Sequence, residues 1–352
     1  NQQVKEQVIL SGLFDGVISF DEHGETATVN PSAAQYLGIV PEEVIGRHWG
    51  SIAQNRELRR FLEKAFTEEH EYVETVIEFE ELSSFFQLRF GTLNDRSHNR
   101  PLGALLLIHD VTESRRMEQM RRDFVSSVSH ELKTPITAIK GYVETLLDSG
   151  DEMEEMSSSF LSIIDRHTDR LNSLVSDLLS LSRIEYQSER GEITLSEFDL
   201  RDIVENAVEL FAEKAKRHGI DIETTLPPEE ELHGFVNEEL LTQAISNLID
   251  NALKYSESGA IVRVGAERSS GGFISIYVED QGPGIDEHHH SRIFERFYRV
   301  DKARSRELGG TGLGLSIVKH IVRAHGGSVS LSSAPGRGST FFIYIPAGAA
   351  ET

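Results

Sequence analysis

The chain has no cysteine among its 352 residues. Disulfides and thiolate metal centres are therefore excluded, and a reducing compartment is compatible with that usage. Long apolar runs are also missing. The strongest candidate, Ala104-Leu-Leu-Leu-Ile108, is far short of the roughly 20 residues a membrane-crossing helix needs. Basic residues are scarce beside acidic ones: 35 Lys and Arg stand against 58 Asp and Glu, for a formal net charge of −23. Acids spread along the whole length argue against nucleic-acid binding and against adhesion to anionic membranes. No Gly-Lys-Ser/Thr motif occurs, so a P-loop is absent. No secretory leader is readable, and the chain opens on Asn1 rather than Met. We expect a cytoplasmic, excised portion of a longer protein, with membrane anchoring upstream of residue 1 left open.

What is present is organised around Ser126-Ser-Val-Ser-His-Glu-Leu-Lys-Thr-Pro-Ile-Thr137. At helical spacing Val125, Val128, Leu132, Pro135, Ile139, Tyr142 and Leu146 share one stripe. His130 points away from it, and Thr134 lies one turn beyond on the same side. A histidine turned from an apolar seam is presented to solvent, where its imidazole can serve as a nucleophile or a proton carrier near neutral pH. Glu131 is adjacent and is expected to accept the ring's other proton, holding the attacking tautomer. Pro135 should kink the helix. The string His130-Glu131-Leu132-Lys133-Thr134-Pro135 resembles the phospho-acceptor box of bacterial sensor histidine kinases.

Residues 1–112 read as a mixed domain. Gly16–Phe20 and Thr26–Val29 form a hairpin around the turn Asp21-Glu-His-Gly24, with short helices at Ala33–Leu37 and Glu42–Ile45. Strands are predicted at Tyr72–Phe79, Phe85–Leu93 and Leu102–His109. A sheet with small helices inserted after its second strand resembles a PAS sensory domain. His48 and His70 read as surface histidines rather than haem ligands. Residues 113–187 read as two helices, the first running to about Leu147. In the second, Phe160, Ile164, His167, Leu171, Leu174, Leu178 and Leu181 step by four and three, a coiled-coil seam in which His167 is a core position. Two such helices bury both seams by pairing with a second copy as a four-helix bundle, so a homodimer is expected.

Residues 188–352 read as strands and helices in one layered α/β domain. Strands are expected at Ile193–Phe198, Ile220–Thr224, His233–Val236, Ile261–Ala266, Phe273–Glu279, Ser328–Ser332 and Thr340–Ile345. Helices are expected at Leu200–His218, Glu238–Tyr255 and Gly312–Ala324. Four clusters stand out. Asn247 and Asn251 are one helical turn apart, so two amide oxygens converge on a hard cation such as Mg²⁺, and Lys254 reaches phosphate. Asp280-Gln-Gly282-Pro-Gly284 follows a strand, where a carboxylate accepts from an exocyclic amine and glycine permits close approach. Gly309-Gly310-Thr311-Gly312-Leu313-Gly314 opens a helix, a phosphate cradle. Gly336-Arg-Gly338-Ser-Thr340-Phe341 closes the series. His288-His-His290 reads as a solvated loop, since consecutive side chains diverge.

With Phe294-Glu-Arg-Phe-Tyr298-Arg299 between the second and third clusters, these match in order the Asn, first-glycine, phenylalanine, second-glycine and third-glycine boxes of the histidine-kinase ATPase domain. That nucleotide fold is shared with gyrase and heat-shock chaperones. The resemblance covers residues 113–346 and extends to the PAS region. Its finer details, including Phe297-Tyr-Arg-Val-Asp-Lys-Ala-Arg-Ser-Arg306, look most like the phosphate-regulon sensor kinases. It implies a multidomain α+β protein: PAS-like sensor, helical-hairpin dimerisation domain and α/β-sandwich ATPase domain. It implies ATP and Mg²⁺ as cofactors, His130 as phospho-acceptor with Glu131 and Thr134 beside it, and a separate response regulator as partner, which the kinase also dephosphorylates. Asp280 then fixes adenine, Asn251 holds the metal, and Asn247, Lys254 and Tyr255 assist at the nucleotide. Gly282, Gly284, Tyr298, Arg299, Gly310, Thr311, Gly312, Leu313, Gly314 and Thr340 complete the nucleotide set. An ATPase or serine kinase on the same fold, or a degenerate sensory scaffold, are the alternatives.

Overall fold

A computed structural model describes residues 15–67, 72–79, 83–95, 100–148, 154–227, 232–269, 271–301 and 309–348. His70 lies outside them. The chain divides into two compact units, residues 1–125 and 126–352.

The first unit is built on five strands, β1 (Gly16–Phe20), β2 (Thr26–Val29), β3 (Tyr72–Phe79), β4 (Ser84–Asp95) and β5 (Arg100–Asp110). Their order is β2-β1-β5-β4-β3, each neighbouring pair antiparallel. Asp21 makes the first turn, its Oδ1 accepting from the backbone N–H of His23 and Glu25 at 2.9 and 2.8 Å. Three helices cover the sheet: α1 (Pro31–Leu37), α2 (Pro41–Val44) and α3 (Arg56–Thr67). Asn30 caps α1 and also accepts from Val17 N–H at 2.8 Å, fixing helix to strand. Helix α3 buries Leu58, Phe61, Leu62 and Ala65, a 3-1-3 spacing. Phe20, Phe66 and Phe90 meet edge-on or tilted in this core. His48 is exposed; its Nδ1 accepts from Gly50 N–H at 3.3 Å.

Two long helices follow, α4 (Thr112–Asp148) and α5 (Glu154–Glu189). Helix α4 continues through Pro135, which is buried. Tyr142 of α4 packs on Phe160 of α5 with ring centroids 5.4 Å apart. In the predicted seam Leu174 and Leu181 are buried, while Phe160, Ile164, His167, Leu171 and Leu178 are half-buried. Burial pushes the His167 ring below its ordinary value. Ile136, Leu147, Leu161 and Leu179 remain exposed along the hairpin.

The rest of the second unit is a five-stranded sheet ordered β11-β12-β10-β9-β7. Its strands are β7 (Asp221–Thr225), β9 (Ile261–Ser269), β10 (Phe273–Asp280), β11 (Ser328–Ser333) and β12 (Ser339–Pro346). Only β7 with β9 is parallel among these pairs. A small ribbon pairs β6 (Ser196–Asp199) with β8 (His233–Val236). Helices α6 (Leu200–His218), α7 (Glu238–Tyr255) and α9 (Gly314–Ala324) pack on the sheet, and α9 also packs on α5. Four of α9's side chains, Ile317, Val318, Ile321 and Val322, are fully buried, each contributing about 1.5–3 kcal/mol. The three consecutive histidines lie in a short helix, α8 (Glu287–His290), capped by Asp286, rather than in a loop.

Candidate active site

Helix α7 presents two faces because its apolar residues repeat at helical spacing. Leu241, Ala244, Ile245, Leu248, Ile249, Ala252 and Leu253 enter the core. The adjoining polar face (Asn247, Asp250, Asn251, Lys254) lines a cavity of about 460 Å³. Asn247 brings a buried Nδ2 with no hydrogen-bond partner among the described residues. An orphaned amide donor costs on the order of 1–3 kcal/mol unless a ligand or water takes it up. Lys254 Nζ lies 2.6 Å from Asp250 Oδ2, and Lys214 holds Oδ1 of the same carboxylate. Burial alone would raise Asp250, yet the two ammonium groups hold it below its ordinary value.

Asp280, at the end of β10, closes the far wall and is only 6% exposed. Its Oδ1 accepts from the N–H of Gly282 at 2.8 Å and of Ser339 at 3.2 Å. Burial pushes its carboxyl above the ordinary value, in spite of those bonds. Both of these bonds go to Oδ1. Gly284 also lines the cavity; it has φ +72°, and a Cβ there would sit 1.9 Å from the Ala334 carbonyl. No other residue fits that contact.

Tyr298 and Arg299 line a third side. His289 Nδ1 is 2.5 Å from the Tyr298 hydroxyl, and the Arg292 guanidinium stacks 4.4 Å over the Tyr298 ring. Phe297 adopts φ 63°, uncommon for a residue with a side chain, and its N–H donates to Gly312 O at 2.8 Å. Gly312 sits at φ +77°, which L side chains rarely adopt, and a Cβ there would come within 3.0 Å of Phe297 Cα. Its turn brings Gly309, Gly310, Thr311, Gly312 and Gly314 to the cavity and starts α9 at Gly314, two residues later than the predicted Gly312. The Thr311 hydroxyl donates to Asp177 Oδ2 at 2.6 Å and accepts from Leu313 N–H at 3.2 Å. Leu313 is buried in the core beneath the turn.

The cavity thus gathers Asn247, Asn251, Lys254, Tyr255, Asp280, Gly284, Tyr298, Arg299, Gly310, Thr311, Gly312 and Gly314 from four distant stretches of sequence. Gly282, Leu313 and Thr340 stand behind its wall: on β12 it is Ser339 and Phe341, on the other face of the strand, that line it. Sequence reasoning passed over Ser173, Asp177, Asp250 and Ser339. Asp250 and Ser339 sit inside the quoted motifs and were within reach. Asp177 and Ser173 lie on α5, and only the packing of α5 on the glycine turn reveals them.

His130 is exposed on α4, outside the lining of the cavity, and its ring makes no hydrogen bond among the described residues. Thr134 Oγ1 donates to the His130 carbonyl at 3.1 Å. Glu131 does not serve the His130 ring as expected. Its Oε2 accepts from Arg170 Nη2 at 2.7 Å and from Arg299 Nη2 at 3.2 Å, because guanidinium groups give a half-buried carboxylate charge-assisted hydrogen bonds. Arg296 and His320 similarly converge on Glu185 of α5.

Residues 236–349 match the family described as histidine kinase-, DNA gyrase B-, and HSP90-like ATPase. Residues 120–187 match the His Kinase A (phospho-acceptor) domain, and residues 10–116 match the PAS fold. The chain is 33% identical over 342 residues to the sensor histidine kinase WalK of Bacillus subtilis strain 168, across 96% of this chain and 54% of that protein. It is 33% identical over 344 residues to a sensor protein kinase WalK of Staphylococcus aureus, across 96% of this chain and 80% of that protein. The chain spans about half the length of most curated relatives it matches, 54% for the first. Among solved structures, histidine kinase ThkA in complex with response regulator protein TrrA superposes with TM-score 0.53 at 24% identity, covering 98% of this chain and 99% of that one. That likeness concerns fold. The relatives carry the sensor kinase family and do not single out the phosphate-regulon subfamily.

Proposed function

The chain belongs to the sensor histidine kinases of two-component systems, and we propose that it phosphorylates His130 from Mg·ATP and passes the phosphoryl group to a response regulator. The observation that carries this is the convergence of the Asn247–Lys254 face, Asp280, Tyr298–Arg299 and the Gly310–Gly314 turn on one cavity beside the helix that bears an exposed His130. Asp280 Oδ2 accepts from the adenine amino group. The donor set suits a hard cation: amide oxygens of Asn247 and Asn251, with the buried, partnerless Nδ2 of Asn247 left to donate to a phosphate oxygen. Asn251 would hold the metal, which would supply charge neutralisation at the phosphates.

Lys254 and Arg299 approach the phosphates as cations, and Thr311 and the glycine-turn amides as neutral donors. An imidazole nitrogen of His130 forms the N–P bond as the bond from the γ-phosphorus to the ADP oxygen breaks, and the proton of the other ring nitrogen passes to Glu131 once that carboxylate is released by Arg299, which holds it in this structure. Catalysis is mainly positioning and charge neutralisation. The phosphoryl group then moves to an aspartate of a separate receiver domain, the kind of partner named for ThkA. Thr134 assists the reverse duty, hydrolysis of the phosphorylated partner.

The apolar side chains left exposed along α4 and α5 suit a homodimeric four-helix bundle. We read three functional parts, 1–112, 113–187 and 188–352. No helix among the described residues is long and apolar enough to cross a membrane. The test is incorporation of label from [γ-³²P]ATP. The parent should carry acid-labile, base-stable phosphate, and His130→Gln should carry none while binding Mg·ATP as before. Acid-stable phosphate, or labile phosphate on His130→Gln, overturns the assignment.

A further inference from the structure

The hairpin that carries the phospho-acceptor also reaches the cavity or its lining residues. Asp177 of α5 lines it and takes the Thr311 hydroxyl at 2.6 Å. Glu131 of α4 takes Arg299, another lining residue, at 3.2 Å, while Arg170 braces the same oxygen from α5. Thr311 and Arg299 are groups that a polyphosphate would use, a hydroxyl donor at a glycine turn and a guanidinium. Lys254, the other cation among the described lining residues, is held by Asp250. As the unit stands, Asp177, Asp250, Asp280 and Asp301 outnumber Lys254 and Arg299 around the cavity.

Two further observations point to a ligand that takes the place of these contacts. Arg299 is 5% exposed and 3.2 Å from Glu131, yet its Nε–H is buried without an acceptor among the described residues. Asn247 Nδ2 is in the same condition. Each is a donor that a phosphate oxygen satisfies and a hairpin carboxylate does not.

We propose that Asp177 and Glu131 are intramolecular competitors of the nucleotide polyphosphate: two carboxylates of the phospho-acceptor hairpin hold Thr311 and Arg299 until a nucleotide takes them. This rests on the cavity being a Mg·ATP site and assigns its phosphate donors a second, mutually exclusive occupant. By reciprocity, the factor by which the docked hairpin weakens nucleotide binding is the factor by which nucleotide loosens the hairpin. The exchange has a direction. Arg299 leaving Glu131 removes one of the two arginines that keep this carboxylate from His130, so arrival of the phosphoryl donor prepares the acceptor. Arg170, the remaining partner, is then a positioning residue for Glu131. Burial already pushes the Asp177 carboxyl above its ordinary value, and a polyanion beside it adds to the same cost.

The experiment measures the affinity of the whole chain for the magnesium complex of adenylyl imidodiphosphate, in the parent, Asp177→Asn and Asp177→Ala. Both variants should bind about 5- to 50-fold tighter, within the usual span of intramolecular coupling. In the parent, the analogue should also speed amide hydrogen exchange in α5 around Asp177. Equal or weaker binding by folded variants overturns the competition, and so does unchanged or slower exchange in the parent, a readout that does not depend on any variant folding. No binding by the parent overturns the nucleotide reading itself, and the competition with it.

Discussion

Asp280→Asn separates recognition from folding. Asn retains an Oδ1 for the Gly282 and Ser339 N–H groups, which Asp280 accepts at 2.8 and 3.2 Å, so the join between β10 and β12 survives. The other oxygen becomes an NH₂ group. Adenine's amino donor then meets a donor instead of a carboxylate. The lost charge-assisted bond is worth about 1.5–3 kcal/mol, and an unsatisfied pair brings the total to about 2–4 kcal/mol. At about 1.4 kcal/mol per decade, ATP affinity should fall about 30- to 700-fold. A GTP analogue, which offers a carbonyl at that edge, should lose much less.

Stability should move the other way. Burial raises the folded-state pKa of Asp280 above its ordinary value, so folding binds this proton more tightly than the unfolded chain does. Its favourable contribution is present below the unfolded value, about 3.9, and is lost as pH rises through the folded one. That contribution fades as pH rises, so Asn should melt at an equal or higher temperature than the parent at neutral pH, the gap closing in acid. Calorimetric titration with both nucleotides, and melting at two pH values, check each half. ATP affinity equal to the parent's, or a loss of binding accompanied by a lower melting temperature, would refute the assignment.

The other predictions are briefer. Thr134→Ala should lose most phosphatase activity, on the order of 10²–10³ in rate, and keep substantial autokinase activity; the Thr134 hydrogen is committed to the His130 carbonyl, leaving the oxygen's lone pairs to accept from a water. A parallel fall of both rates and of the melting temperature would instead make it a helix prop. His325 is buried, with Nε2 accepting from Asn237 N–H at 2.9 Å and Nδ1 donating to Ile321 O at 2.7 Å, and burial pushes its ring below the ordinary value. The unfolded ring takes a proton near pH ~6.5 that the folded one refuses, so stability falls as pH drops below that point toward the lowered folded value. The melting temperature should drop more between about pH 7.5 and about pH 5.5 in the parent than in His325→Gln, by about 2–4 °C per kcal/mol. Equal drops would count against it.

Much of this was legible because local chemistry decided it. The turn at Asp21 pins the hairpin of β1 and β2, and α7 announces itself through Asn237, whose side chain accepts from Leu240 N–H, and seven core residues at helical spacing. Helix α3 was overlooked although Asn55 caps it, accepting from Glu57 and Leu58 N–H; its polar surface hides a narrow apolar stripe. The predicted strand from Ile193 begins only at Ser196, where β8 offers a partner. Glu131 illustrates the limit. Its neighbour in sequence is His130, but its partners are 39 and 168 residues away, and nothing in periodicity reports them. Asp177 is hidden in the same way, as one polar residue within a leucine-rich seam.

The rung from Phe297 N–H to Gly312 O has a consequence for how this family can vary. It ties the backbone of Phe297, next to the lining residues Tyr298 and Arg299, to the glycine turn that carries Thr311, so both edges of the wall are fixed to each other directly. Closing a longer loop costs only about 0.6 kcal/mol per doubling of its length. Length changes between Asp301 and Gly309 can therefore accumulate while Arg299, Thr311, Asp280 and Asn247 keep their places in the wall. Relatives should differ in length here more freely than among the residues that line the cavity, and a lineage can vary this stretch of sequence without rebuilding the walls.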